Sequence, residues 1–168
     1  GTDISANGSA VIDITNKRLN SIFLKNVRLG SNDLDTFNYE HAENSYVLAL
    51  QGKHLVANFL DIKDDAEDVE PKEISLKDFP ALNLALNLQK VSIGDSVIKK
   101  LNGYLRCDTQ RCTKANIDAD LGDKPFALRI LNNPNNKRQI YIKSDNAGAF
   151  FKLINITDGM MEGEFILV

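Results

Sequence analysis

The chain has 168 residues, a formal net charge of −3 and 26% charged residues, and its first residue is Gly1. This length is enough for one domain with a core, and residues 1 to 168 are interpreted as one domain cut from a longer protein. The slightly acidic balance provides no basic surface, so nucleic acid is not expected as a partner. No apolar run approaches the roughly 20 residues of a membrane span, and the start lacks a signal-peptide pattern.

Alternating apolar and polar residues dominate the chain and predict β-strands with one buried face. In chain order the predicted strands are AVIDIT, NSIFLKNVRLG, SYVLALQG, LNLALNLQ, VIKKLNGYLRC, TKANIDADLG, PFALRILN, RQIYIKS and GEFILV. The clearest is LNLALNLQ, whose Leu82, Leu84, Leu86 and Leu88 point to one face. Turn residues in GSND, GDK and NNPNNK separate several of the strands. We therefore expect a mainly β fold, built on a curved, strongly twisted antiparallel sheet of the meander type.

Two segments depart from this alternation and predict short helices, near residues 53 to 61 and 146 to 154. Apolar residues in both recur at helical spacing, and they are Leu55, Val56, Phe59 and Leu60 in the first and Ala147, Phe150, Phe151 and Ile154 in the second. Asp145 or Asn146 can cap the second helix by accepting a hydrogen bond from its first turn. Both helices are expected to pack on the concave face of the sheet.

The two cysteines stand in the run CDTQRC, whose central residues fit the tip of a hairpin. Cys107 and Cys112 would then face each other across two strands, where a disulfide is geometrically feasible. Two free thiols remain the alternative. Zinc is disfavoured, because a structural site needs four ligands and neither histidine is near in sequence.

The remaining polar residues give no catalytic pattern. Asp118 and Asp120 lie on the solvent side of a predicted strand, and neither His41 nor His54 belongs to a known nucleophile motif. No glycine-rich phosphate loop is present. Residues 63 to 73 are acidic, contain a proline and are interpreted as an exposed loop. We expect a protein that is not an enzyme and that needs no metal or cofactor.

Three segments, in this order, resemble the AsmA-like family of bacterial envelope proteins, and together they cover about residues 45 to 168. The segments are LALQGKHLVANFLDI, LNLALNLQKVSIGDSVIKKLNGYL and IYIKSDNAGAFFKLINITDGMMEGEFIL. The matching positions are Gly52, Asn102, Gly103, Ser144, Asp145, Ala147, Gly148, Ala149 and Gly163. Asn146 replaces an acidic residue of the family pattern, Glu162 replaces a glycine, and the cysteine pair is an addition.

The resemblance implies a periplasmic protein held to the inner membrane by an anchor outside this sequence. It also implies an apolar groove on a curved sheet, along which phospholipid or another envelope lipid moves toward the outer membrane. The residues expected to line this groove, or else to fill a core, are Leu82, Leu84, Leu86, Leu88, Phe150 and Phe151. The competing interpretation is a structural or interaction domain involved in outer-membrane assembly, with a filled core and sheet edges that pair with neighbouring segments of the same chain.

Overall fold

The computed structural model describes residues 4–42, 44–57, 81–132, 137–154 and 163–167. In these ranges ten strands form one sheet, and strands that follow each other in the chain are neighbours in the sheet. The strands are β1 Ile4–Asp13, β2 Arg18–Leu29, β3 Asn32–Ala42, β4 Ser45–Val56, β5 Ala81–Ile93, β6 Ser96–Cys107, β7 Cys112–Leu121, β8 Lys124–Asn132, β9 Arg138–Ser144 and β10 Phe165–Leu167. One helix, α1, spans Ala147–Leu153. The mainly β prediction is confirmed, whereas the curvature and twist of the sheet remain predictions.

The prediction of an antiparallel sheet is wrong at one pair of strands. β4 and β5 run parallel, with Leu50 beside Leu86, while the other neighbouring pairs of the described sheet are antiparallel. A parallel pair needs a connection of a dozen or more residues, and the segment from 57 to 80 supplies that length. The predicted exposed loop at 63 to 73 belongs to this segment and lies outside the described residues.

The helix predicted near residues 53 to 61 is not confirmed, because residues 53 to 56 belong to β4 and residues 58 to 61 lie outside the described ranges. Of the predicted helical stripe, Leu55 and Val56 lie in the strand, and Phe59 and Leu60 are outside the described residues. A register shift between β3 and β4 next to Gly52 interrupts the alternation just before them, so that Gly52 and Leu55, three residues apart, both lie against the core.

The second predicted helix is confirmed. The Asn146 side chain accepts a hydrogen bond from the Ala149 N–H at 2.9 Å and so caps the first turn of α1. Ser144 supports the turn before the helix, because its hydroxyl donates to the Asn146 carbonyl at 2.9 Å. Ser144 is fully buried. The helix is thus fixed at the position where β9 ends.

The sheet has two chemically different faces. One, which we name the apolar face, carries Leu50, Leu86 and Leu88, and α1 packs on it through Phe150. The opposite one, which we name the polar face, carries Ala85 on the same strand. The buried apolar residues of the described chain gather mostly at one end of the apolar face, and this cluster consists of Leu34, Ala57, Leu88, Val91, Ile98, Ala119, Leu121 and Phe150.

Candidate functional site

The end of the apolar face beneath α1 is a packed core, which we name the covered layer. Its buried residues are Leu88, Val91, Ile98, Ala119 and Leu121 of the sheet and Phe150 of the helix, and Phe126, Phe151 and Leu153 pack against this cluster. Phe150 is 9% exposed. Its ring centroid lies 5.8 Å from that of Phe126 and 5.5 Å from that of Phe165, both in stacked arrangements. This packing fills the space between α1 and the strands β8 and β10, whereas a cavity lined by Ile98, Leu121, Ala149 and Leu153 opens beside the helix.

Next to the covered layer, two rows of paired residues cross the sheet without a charged side chain, and we name them together the open strip. The first row consists of Ala10, Ile22, Tyr39, Leu48, Leu84, Leu105, Ala115, Ile130 and Ile140. The second row consists of Gly8, Leu24, Phe37, Leu50, Leu86, Gly103, Ile117, Leu128, Ile142 and Leu167. At a strand spacing of about 4.8 Å, the first row is about 40 Å long.

The open strip is less buried than the covered layer. Leu84 and Leu86 are half-buried, as are most members of both rows, although Ala115 and Ile130 are buried. Leu88, one step along the same strand, is only 1% exposed. On one face of β5, successive leucine side chains therefore change from half-buried at Leu86 to buried at Leu88.

A third row forms the rim of the strip on the side away from α1. It pairs His41, Tyr46, Leu82, Cys107 and Cys112 across five strands. The His41 and Tyr46 rings stack with centroids 4.6 Å apart. The predicted leucines thus share one face but occupy three environments, because Leu82 lies at the rim, Leu84 and Leu86 in the strip, and Leu88 in the core.

The cysteines form a disulfide at the tip of the β6–β7 hairpin, with their Sγ atoms 2.04 Å apart. Asp108 organises the turn that the disulfide closes, because its Oδ1 accepts hydrogen bonds from the Gln110 and Arg111 N–H groups, each at 2.8 Å. These two bonds lower the pKa of the Asp108 carboxyl below its usual value. The hairpin end beside Leu82 is therefore held both covalently and by a charged acceptor.

The structure adds a contact that the sequence did not reveal. His54 Nε2 lies 2.9 Å from Ser92 Oγ across the parallel pair β4–β5. Asp33 stands opposite His54, but it pairs with Arg28, and no hydrogen bond joins it to His54 among the described residues. A histidine beside a serine hydroxyl is half of a nucleophilic arrangement, which also needs a group to orient the histidine. We therefore infer that the contact between His54 and Ser92 holds the end of β4 against β5.

The other carboxylates that the sequence singled out are engaged in surface ion pairs. Asp118 pairs with Arg129 and Asp120 with Lys100. Among the residues that the structure describes, no three histidines, cysteines or acidic residues come together as a metal-binding group. Within the same ranges no helix is both long and apolar enough to cross a membrane.

Comparison of the chain with protein-family models, with curated proteins and with solved structures finds no match. The resemblance to the AsmA-like family therefore rests on the motifs of the sequence.

Proposed function

We propose that this chain is a non-catalytic, lipid-binding segment of an AsmA-like protein of the bacterial envelope. It would act in the periplasm, tethered to the inner membrane through a segment outside this sequence, and contribute to phospholipid transport between the inner and outer membranes. The observation that supports the proposal most strongly is the open strip, a path without charged side chains that crosses nine strands. Half-buried apolar surface of this extent is typical of an interaction site.

The chemistry of the strip fits an acyl chain. Each methylene that leaves water for an apolar surface contributes about 0.8 kcal/mol, and no desolvated charge opposes the transfer. The hydrocarbon core of a bilayer is about 30 Å thick, so an acyl chain of one leaflet extends over about 15 Å. A strip of about 40 Å is therefore longer than one chain, so that chains can move along it in succession.

The covered layer sets one boundary of the strip. Phe150 fills the space between α1 and the sheet, and Phe151 packs edge-on against both Phe150 and Phe165. A lipid that follows the strip would pass beside this aromatic cluster and not through it. The helix would thus form one side of the lipid path, whereas Leu84 and Leu86 would provide the surface that an acyl chain contacts.

A second function has support from β1, which forms one edge of the sheet. Its ten residues contain neither lysine nor proline, and it exposes Ile4 at 74% and Ile12 at 63%. Long edges without lysine or proline pair with another strand more readily, although the two register shifts of β1 opposite β2 disfavour such pairing. In this function the segment would act as a structural or interaction domain in outer-membrane assembly, joined through its edges to neighbouring segments.

The test of lipid binding is a titration of delipidated protein with a phospholipid that carries an environment-sensitive fluorophore on one acyl chain. We expect fluorescence to rise with the wild-type protein and to fall strongly with Leu84→Asp, which places a charge in the strip. Ala85→Asp is the matched control, because Ala85 is the next residue on the same strand, is exposed, and faces the other way.

Thermal melts of both variants establish that they are folded, and Leu84→Asn replaces Leu84→Asp if the latter melts early. Equal lipid binding by the Leu84 and Ala85 variants would contradict the assignment of the strip. Absence of lipid binding by the wild-type protein would leave the structural function as the better account.

A further inference from the structure

The polar face carries a group of uncharged amide side chains, which we name the amide ladder. Gln51, Asn87 and Asn102 are direct neighbours on β4, β5 and β6, and Asn116 lies on β7 in the adjacent row. All four side chains are exposed. They occupy the centre of the face opposite the open strip.

These amides have hydrogen-bonding capacity that the fold does not use. Within the described part of the chain, none of the four side chains forms a hydrogen bond with another protein group, whereas Asn16, Asn32 and Asn146 all do so. Each amide offers two donors and one oxygen acceptor. The ladder therefore presents both donors and acceptors to a ligand that needs both.

The surface around the ladder has a shallow shape. Ala49 and Ala85 leave a depression between the amides, and the half-buried ring of Tyr104 borders it. The Lys114 ammonium lies 5.7 Å from the centre of that ring. An aromatic ring beside small residues provides a surface for an apolar C–H face, next to the amides that would bind polar groups.

The charge pattern indicates a neutral ligand. Among the described residues no charged side chain lines the depression, and Asp118, which stands opposite Asn102 in the row of the ladder, is paired with Arg129. Other charged residues stand further out, with Lys90 on one side and Arg106 on the other. The amides themselves provide no opposite charge to an ionised ligand. A neutral ligand with many hydroxyl groups can both donate to and accept from each amide.

We propose that the amide ladder binds a neutral carbohydrate chain laid across the strands. Gln51, Asn87 and Asn102 are each separated by the strand spacing of about 4.8 Å, which is close to the length of one sugar unit in an extended chain. Each of three consecutive sugars would thus meet one amide, with Asn116 and the edge of the Tyr104 ring beside them. Because the ladder and the open strip occupy opposite faces, this site is independent of the proposed lipid function.

The test is a titration of isotopically labelled protein with cellohexaose and with chitohexaose, followed by amide chemical shifts. We expect saturable shifts of the side-chain amides of the ladder, with a Kd of about 1 mM. Replacing two partners, in Asn87→Ala/Asn102→Ala, should weaken binding by about tenfold, since each lost hydrogen bond contributes modestly. Gln139→Ala is the matched control, an exposed amide on β9 away from the ladder, and it should leave the Kd unchanged.

Three outcomes would overturn the proposal. The first is a wild-type protein that shows no saturable shifts with either sugar. The second is a double variant that binds as tightly as the wild type while retaining its fold. The third is tighter binding of an anionic heparin fragment, which would assign the binding to the neighbouring lysine and arginine side chains.

Discussion

The covered layer and the open strip lie side by side on one sheet and arise from the same alternation of residues, yet their side chains differ in burial. In the covered layer Leu88, Val91 and Leu121 are at most 4% exposed. In the strip Leu84 and Leu86 remain half-buried. The seven-residue helix α1 packs through Phe150 at the end of the apolar face where this buried cluster lies.

This comparison shows that binary patterning determines which face is apolar but not what covers it. Covering requires a second element, and here a capped helix after β9 provides it. Apolar residues under the helix contribute to the free energy of unfolding. We infer that those beyond it are available to a ligand, and each prediction below tests one side of this contrast.

The largest effect is expected from Phe150→Ala. Removal of a packed aromatic side chain should cost about 3–5 kcal/mol in the free energy of unfolding, because the cavity between α1 and the sheet cannot close completely. Thermal melts measure the change, and lipid extraction from the same preparation shows whether loss of lipid accompanies unfolding. Ile154→Ala is the control, since Ile154 follows the same helix and is 45% exposed. A Phe150→Ala protein as stable as that control would contradict the packed core.

The next prediction contrasts two leucines of β5. Leu88→Ala should destabilise by about 2–5 kcal/mol, whereas Leu84→Ala should cost clearly less because Leu84 is only half-buried. When only folded protein is compared, Leu84→Ala should lower lipid binding more than Leu88→Ala does. Denaturant titrations measure the loss of stability of each variant, and the fluorescent lipid assay measures its loss of lipid binding. Equal losses of stability would remove the distinction between layer and strip.

A smaller effect concerns the rim of the strip. Replacing Cys107 and Cys112 by serine should lower stability by about 2 kcal/mol, the chain-entropy value for so short a loop. If the domain is periplasmic, the bond should also be present in protein isolated from the native envelope without reductant. Mass spectrometry after alkylation decides this, because two alkylated thiols in such material would refute the disulfide. Reduced thiols in protein expressed in the cytosol would not.

The smallest effect is the response of the β6–β7 turn to acid. Hydrogen bonds from the Gln110 and Arg111 N–H groups lower the pKa of Asp108 in the folded state. The resulting stabilisation is present above the unfolded pKa, about 3.9, and is lost as the pH falls through the lowered pKa of the folded state. Hydrogen exchange of these two amides should accelerate, relative to other hairpin tips, below about pH 4 in the wild type. Asp108→Ala should exchange fast at all pH values, and an unchanged wild-type profile would show that the carboxylate does not hold the turn.

Where the alternation of a strand or the spacing of a helix continues without interruption, the sequence predicted the structure well. LNLALNLQ became part of β5, and SDNAGAFFKL became a turn and the capped helix α1. The strand β3 was missed, because a register shift at Asp35 breaks the alternation between Leu34 and Phe37. Its pairing with strands on both sides compensates for that weak local signal.

The candidate site was predictable in part. Alternation identified the four leucines of β5 but could not separate Leu84 from Leu88, because the difference depends on tertiary packing over each end of the apolar face. The parallel pairing of β4 and β5 could not be predicted either, because the sequence of a strand does not indicate the direction of its neighbour. The His54–Ser92 contact joins residues 38 positions apart, and it exists only because of that pairing.

If the proposed function is right, acyl chains contact the open strip and not the covered layer. The most direct measurement places a photoreactive benzophenone amino acid at position 84, 85 or 88 and crosslinks the folded protein to a phospholipid with labelled acyl chains. We expect a strong crosslink from position 84 and little or none from positions 85 and 88. Equal crosslinking from positions 84 and 85, or none from position 84 in a folded protein, would contradict the proposed function.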